Sequence, residues 1–275
     1  MSDPLLQVDA LVKRFEGRST GFLRRERTEG HLAVDHVSFE VERGEILGLA
    51  GGSGSGKTTV ARCCVRLVDP NEGAITFDGV DVVTAAGRPL REIRRRMQMI
   101  YQDPYSSLNP RMTIGAAILE AGRVHKRPGS ENGEQFVSQF LERVHLTADT
   151  ARRYPRELSG GQRQRAAIGR SLAVGPELLI ADEAVSALDV SVQAQLLNLL
   201  LKLRDELRLS ILFISHQLAV LAEIADRIGI MHTGRLVEIG PTARVFSAPE
   251  ADYTRELLAA DPPPVPIPAE PALER

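Results

Sequence analysis

Eight consecutive residues, Gly51-Gly52-Ser53-Gly54-Ser55-Gly56-Lys57-Thr58, satisfy the pattern GxxxxGK[ST]. Residues of these types at this spacing bind phosphate. Glycines let the backbone curl so that successive N–H groups face the anion, and a helix that follows adds the positive end of its dipole. Lys57 would then reach the β- and γ-phosphates, and the Thr58 hydroxyl would be placed to ligate Mg²⁺. A glycine-rich strand-to-helix turn without a ligand is the other reading of the same residues. A second group able to do chemistry is Asp182-Glu183, which closes the apolar run Leu178-Leu179-Ile180-Ala181. Ligands collect at the carboxyl ends of strands in open α/β sheets, and a carboxylate buried there without a partner is costly. Asp182 is expected to face Mg²⁺ directly or through water, and Glu183 to polarise the water that attacks the γ-phosphate. Two solvated acids at a strand end are the alternative.

These groups need elements to hold them. Val37, Phe39 and Val41 alternate with polar residues before Gly44, as in a half-buried strand that ends in a turn. Glu45 to Ala50 reads as a strand running into the glycine-rich stretch, and Thr58 to Val68 as the helix after it. Ala74 to Phe77, Leu178 to Ala181, Ile211 to Ile214 and Ile228 to Met231 are further buried-strand candidates, with Val190 to Leu207 a helix among them. Strands alternating with helices imply a mostly parallel sheet with covered faces, and the antiparallel opening strands predict a mixed one. Residues from about Met112 to Arg156 lack strong strand runs and read as a helical insertion. Residues 16 to 30, with Gly17, Gly21 and Gly30, read as a polar loop between two early strands. Pro262, Pro263, Pro264, Pro266, Pro268 and Pro271 predict an extended or disordered tail.

The 275 residues suffice for one large α/β domain or two small ones, and 43% hydrophobic with 25% charged residues excludes collagen-like and wholly disordered chains. Lys+Arg 34 against Asp+Glu 36 leaves a net charge of -2, so bulk electrostatics do not call for nucleic acid. The run Arg94-Arg95-Arg96 is expected to be a solvated helix face. Cys63 and Cys64 are the only cysteines. Alone they make neither a disulfide framework nor a four-thiolate iron–sulfur site, and they fit a reducing compartment as structural residues. No apolar run approaches the ~18 residues of a membrane span, and Asp3 and Asp9 do not suit a basic-then-apolar signal.

Leu158-Ser159-Gly160-Gly161-Gln162 resembles the signature of ATP-binding cassette (ABC) ATPases. Ser159, Gly160 and Gly161 would open a helix beginning near Gln162 and offer a hydroxyl and unpaired N–H groups to an anion. A plain turn before a helix is the alternative. Other cassette elements follow in the family's order: Gln102 resembles the Q-loop glutamine, Ser186-Ala187-Leu188-Asp189 the D-loop, and His216 after Leu212-Phe213-Ile214-Ser215 the switch histidine. Phe15 is similar to the family's adenine-stacking aromatic, a strand-end core residue being its other reading. The resemblance adds Thr59, Gln162 and Asp189 to the nucleotide site, Gln102 beside Thr58 and Asp182 to the Mg²⁺ site, and gives Glu183, His216 and Gln102 catalytic parts.

Closer still is the resemblance to importer ATPases of the oligopeptide, dipeptide and nickel branch. It is carried by Phe22-Leu23-Arg24-Arg25, by Tyr101-Gln102-Asp103-Pro104-Tyr105-Ser106-Ser107-Leu108-Asn109-Pro110-Arg111, by Tyr154-Pro155-Arg156-Glu157, by the stretch from Asp182 to Gln193, and by Tyr253-Thr254-Arg255. Ala184, Val185, Gln217 and Ala251-Asp252 depart from the family's usual residues and touch none of the assigned groups. The resemblance implies an α/β fold, a P-loop NTPase cassette with a mixed β-sheet core. Its nucleotide-binding domain would span 1–261 with a helical subdomain at about 112–160, followed by a Pro-rich tail at 262–275 as a short carboxy-terminal extension.

It further implies two cassettes, identical or homologous, facing head to tail, so that the signature of one completes the site of the other. Two transmembrane permeases and, indirectly, an extracytoplasmic substrate-binding protein are the remaining expected partners, with no nucleic acid, at the cytoplasmic face of the inner membrane. A nickel or other small-solute importer is the near alternative. An exporter is disfavoured by Tyr154-Pro155-Arg156-Glu157. A DNA-maintenance ATPase would need coiled coils, zinc cysteines or a basic surface. A soluble regulatory NTPase would not co-purify with two multi-span membrane proteins.

Overall fold

The computed structural model describes residues 3–16, 30–103, 107–186 and 188–260. Phe22 to Arg25, most of the 16–30 loop, Pro104-Tyr105-Ser106, Ala187 and the Pro-rich tail lie outside the described residues.

The strands are β1 (Leu6–Phe15), β2 (His31–Val41), β3 (Ile46–Ala50), β4 (Glu72–Phe77), β5 (Val80–Asp81), β6 (Met97–Ile100), β7 (Leu178–Asp182), β8 (Ser210–Ile214), β9 (Arg227–His232) and β10 (Arg235–Pro241). The helices are α1 (Lys57–Cys64), α2 (Gly87–Arg96), α3 (Ile114–Val124), α4 (Gly133–Arg143), α5 (Gly160–Ala173), α6 (Val190–Leu207), α7 (Leu218–Ile224), α8 (Thr242–Ser247) and α9 (Asp252–Ala260). Short 3₁₀ turns lie at Ala148–Arg152 and Pro155–Glu157.

Two sheets result. One is four-stranded and antiparallel, ordered β2-β1-β4-β5; the other is six-stranded, ordered β10-β9-β3-β8-β7-β6. The second is parallel apart from the β9–β10 hairpin, so it is mixed, but through its edge strand. The antiparallel opening strands do not join it, because both edges of β1 are taken: Leu6 lies opposite Val41 of β2 and opposite Phe77 of β4.

Every residue of β3, β7 and β8 is buried, as central strands covered on both faces require. Their side chains alternate between two cores. Leu47, Leu49, Leu178, Ile180, Leu212 and Ile214 pack with Val60 and Cys64 of α1 and with the first sheet. Ile46, Leu179, Ala181, Ile211 and Phe213 pack with α5, α6 and α7 on the other face.

Local details depart from the sequence reading in three places. The helix after the glycine-rich loop stops at Cys64 rather than Val68. Arg66 takes a left-handed φ of 52°, with Arg66 N–H donating to Cys63 O at 2.9 Å and Leu67 N–H to Arg62 O at 2.8 Å. That is a Schellman ending without its usual glycine. The helix expected near Gln162 begins at Gly160, since Ser159 caps it: Ser159 Oγ accepts from Gln162 N–H at 3.3 Å, and Gln162 Oε1 accepts from Ser159 N–H at 3.1 Å. The Arg94–Arg96 run is not simply solvated. Arg95 pairs with Glu92 at 2.6 Å and Arg96 with Glu177 at 2.6 Å, while Arg94 donates to the Val65 and Arg66 carbonyls.

Between β6 and β7 the described chain is helical. Thr113 caps α3 by accepting from Ala116 N–H at 3.3 Å, and Ile114, Ile118 and Ala121 meet Phe136, Phe140 and Leu141 of α4. Both helices pack on α5, with Phe136 and Phe140 ring centroids 4.8 Å apart. Among the described residues no helix is long and apolar enough to cross a membrane.

Candidate nucleotide site

β3 ends at Ala50 and the chain turns through Gly51–Gly56 into α1, the strand-loop-helix order that the motif demands. Gly51 has φ +146° and Gly56 φ +103°. A Cβ at Gly51 would lie 2.2 Å from the Met231 carbonyl oxygen, and one at Gly56 2.3 Å from that of Ala33. Only glycine lets the loop lie this close to β9 and β2. The hairpin turn also supports it, with Gly234 N–H donating to Ser55 O at 3.1 Å.

Lys57, buried at the start of α1, donates from Nζ to Gly51 O at 2.7 Å, Gly52 O at 2.9 Å and Ser55 Oγ at 3.2 Å. Burial pushes its pKa down, against the pull of the Glu183 and Asp182 carboxylates. The next residue ties the loop to β7: Thr58 Oγ1 donates to Asp182 Oδ1 at 2.9 Å. Asp182 is 5% exposed. Burial pushes its pKa up, and the Thr58 hydroxyl and then Arg62 pull it back. The hydroxyl and carboxylate are hard oxygen donors of the kind Mg²⁺ takes. The described residues contain no cluster of three or more His, Cys, Asp or Glu able to hold a metal. Such a donor set fits Mg²⁺ bound by few protein groups together with phosphate oxygens.

Glu183 follows with φ 50°, unusual for a residue with a Cβ. Its backbone is pinned on both sides: Glu183 N–H donates to Ile214 O at 3.0 Å, and the Ser186 hydroxyl donates to Glu183 O at 3.0 Å. A strained conformation held this firmly turns the carboxylate away from the direction a regular strand would give it. His216 Nδ1 lies 3.2 Å from Glu183 Oε1. Gln102 Nε2 donates to Ser186 Oγ at 3.4 Å.

A cavity of about 420 Å³ collects most of these groups. It is lined by Phe15, His31 and Ala33 of the first sheet, by residues 53–59, and by Gln102 and Glu183. Phe15 is 41% exposed, with Lys13 Nζ 5.2 Å from its ring centre, so it is no strand-end core residue. Gly51 and Gly52 are not among its lining residues. Asp182 reaches the cavity through Thr58, and His216 meets it through Glu183. Ser159, Gly161 and Gln162 line a different hollow of about 280 Å³ with Val192 and Gln195. Asp189 caps α6 by position and makes no side-chain cap bond. Within one chain, the phosphate loop and the signature therefore serve separate spaces.

His31, Ala33 and the Gln102 partnership of Ser186 were not among the sequence-predicted contacts. For His31 the signal is pairing: it lies opposite Phe15 in the β1–β2 register. That register spans the polar loop between the two strands and leaves no local pattern to read. Cys63 and Cys64 are both buried, as structural residues, and burial pushes the Cys63 thiol up to about 11.

The chain is similar to known proteins along most of its length. It is 49% identical over 261 residues to the glutathione import ATP-binding protein GsiA of Pectobacterium atrosepticum, covering 95% of this chain and 42% of that one. It is also 49% identical to the protein of the same name from Escherichia coli, covering 99% of this chain and 43% of that one. The chain spans about two fifths of the length of these curated relatives. Among solved structures, a dimeric ATP-binding cassette in a post-hydrolysis state bound to ADP and Pi superposes with a TM-score of 0.74 at 26% identity, covering 86% of this chain and 98% of that chain. A component of the cbiONQ ABC transporter complex of Clostridium perfringens has the same fold, with a TM-score of 0.76 at 24% identity over 94% of this chain and 96% of that chain. The stretch that matches the ABC transporter family, residues 34–186, runs from the second strand through the phosphate loop and the signature to the turn after Glu183, and by that match the chain belongs to this family.

Proposed function

We propose that this chain is the ATP-hydrolysing subunit of an importer of oligopeptides or dipeptides, acting with a second cassette and two permeases at the cytoplasmic face of the membrane. One observation carries the hydrolytic part: the Glu183 carboxylate, held by His216, lines the same cavity as Lys57, Thr58 and Gln102. Phe15 offers an aromatic face to adenine, the loop N–H groups and Lys57 grip the phosphates, and Thr58, Asp182 and Gln102 would hold Mg²⁺, which would supply charge neutralisation to the phosphates. Glu183 accepts a proton from the attacking water, and His216 orients that carboxylate. Ser159, Gly160, Gly161, Gln162 and Asp189 face the nucleotide of the partner cassette. The import direction and peptide-like cargo draw support from the identity to glutathione import ATP-binding proteins.

The test is co-expression with peptide-importer permeases from the same organism. The chain should co-purify with them, and vesicles carrying the complex should take up labelled di- or tripeptide only with ATP. Lys57→Ala should abolish both uptake and nucleotide binding. A chain that never associates with permeases, yet hydrolyses ATP alone at an unstimulated full rate, would overturn the transport reading.

Thr58 and Asp182 carry a narrower expectation. Thr58→Ala removes one metal ligand and the 2.9 Å bond to Asp182 while leaving Lys57 in place. The Mg²⁺ concentration for half-maximal turnover should rise about tenfold, with ATP binding in EDTA unchanged. Identical Mg²⁺ titrations for both proteins, followed by ATPase rate and by calorimetry, would exclude Thr58 as a ligand.

A further inference from the structure

The carboxy-terminal segment Tyr253-Thr254-Arg255 has no part in the chemistry above, yet it touches the phosphate loop. Gly52 N–H donates to Tyr253 Oη at 3.3 Å. The Tyr253 ring rests on His232, the last residue of β9, with ring centroids 3.8 Å apart and planes inclined by 36°.

The helix that carries Tyr253 is firmly seated. Glu238 of β10, 7% exposed, accepts from Glu250 N–H and Ala251 N–H at 3.1 Å each, ahead of the first turn of α9. Arg244 pairs with both Glu238 and Glu250. Arg255 reaches back to the Glu250 carbonyl at 2.9 Å. Thr254 is buried, and Leu257 and Leu258 pack on the core. A buried carboxylate that takes two backbone N–H groups fixes the start of a helix, and with it the direction of the ring one turn on.

We propose that Tyr253 is a positioning residue for the phosphate loop, restraining Gly52 so that the loop is already shaped for nucleotide. The β9–β10 hairpin holds the loop from behind at Gly51 and Ser55. Tyr253 adds the restraint at Gly52, between those two points, and couples the loop to α9. A loop ordered before binding loses less conformational freedom when the phosphates arrive, so its affinity is higher than that of the same loop left free. The proposal rests on reading Gly51–Thr58 as the ATP-binding loop.

Tyr253→Phe in the full chain is the test, because it keeps the ring on His232 and removes only the acceptor oxygen. Loss of one neutral hydrogen bond should raise the ATP dissociation constant about 3- to 10-fold. Turnover at saturating ATP should stay within about twofold of wild type, because a restraint lost equally from the bound ground state and the transition state moves KM and leaves kcat. Measured without nucleotide, amide hydrogen exchange in the 51–55 segment should be faster, with the melting temperature unchanged. Loop exchange equal to wild type overturns the proposal. So does unchanged ATP affinity in Tyr253→Phe when a Lys57→Ala control has lost binding. A fall in melting temperature of more than about 4 °C, on the order of 1 kcal/mol or more for a domain this size, makes the effect one of general stability and counts against it too. If Lys57→Ala still binds ATP, the reading of the loop is what fails, and the exchange result alone decides whether Tyr253 restrains it.

Discussion

Replacing Glu183 by glutamine leaves ATP bound and slows its hydrolysis by about 10²–10⁴-fold, the range for loss of a positioned general base. The amide keeps the size of the side chain and can still face His216, from which Glu183 Oε1 lies 3.2 Å. What it loses is the negative charge and basicity of the carboxylate, which takes a proton as water attacks. The backbone should hold, because its constraints come from Ile214 and Ser186 and not from the carboxylate. Lys57 should bind phosphate as before, its charge still balanced by the Asp182 carboxylate. The measurement is paired: calorimetry for ATP affinity and phosphate release for turnover, both on the assembled complex. Near-normal hydrolysis by Glu183→Gln would move the base elsewhere, and a parallel loss of binding would make Glu183 a binding group.

The second large effect concerns the signature. Ser159, Gly161 and Gln162 do not line the cavity that holds Lys57 and Glu183, so in the proposed arrangement they complete a site on another chain. Gly161→Asp is the wrong probe of this. A Cβ there would lie 2.5 Å from Val192 Cγ1, so the variant disturbs α6 of its own chain before it meets any partner. Gly160 has room, with Leu188 Cδ2 the nearest atom at 3.6 Å. Gly160→Asp should leave ATP binding by the isolated chain intact and abolish ATP-driven dimerisation, because a carboxylate placed at that helix start repels a γ-phosphate. ATPase activity of the wild type should rise with protein concentration. Mixing Gly160→Asp with Lys57→Ala should return activity to about a quarter of wild type, since half of the random dimers carry one intact composite site of two. With an obligate different partner, the mixture must be made with that partner. Full activity of Gly160→Asp as a dilute monomer would show that the signature acts within its own chain.

The parts of this arrangement that sequence made legible are those governed by short-range rules. A short apolar run bounded by turn residues suits a strand covered on both faces, which placed β3, β7 and β8. A glycine-rich loop between such a strand and a helix has one common use, and two acids at a strand end have few. The illegible parts depend on partners far along the chain. Nothing near Cys64 announces that Arg66 will turn left-handed, since glycine, the usual marker, is missing. That β1 would form a separate sheet follows from its two edges being filled by β2 and β4. Gly52 and Tyr253 meet only because β9, β10 and α9 fold back onto the loop. His31 enters the cavity through a strand register whose connecting loop carries no periodicity.

The place of β3 in its sheet bears on how the chain comes to be folded during synthesis. Its two neighbours are β8 and β9, which lie at residues 210–232, while β1, β2 and β4 pair among themselves. A ribosome that has released residues 1–209 has therefore released the whole phosphate loop with no strand on either side of the one that carries it. Contacts separated so widely in sequence close slowly. Until then the apolar strand Ile46–Ala50 is available for wrong pairing or for a chaperone. A fragment ending before Ser210 would keep every residue from Gly51 to Thr58 and lack the sheet that gives them their shape.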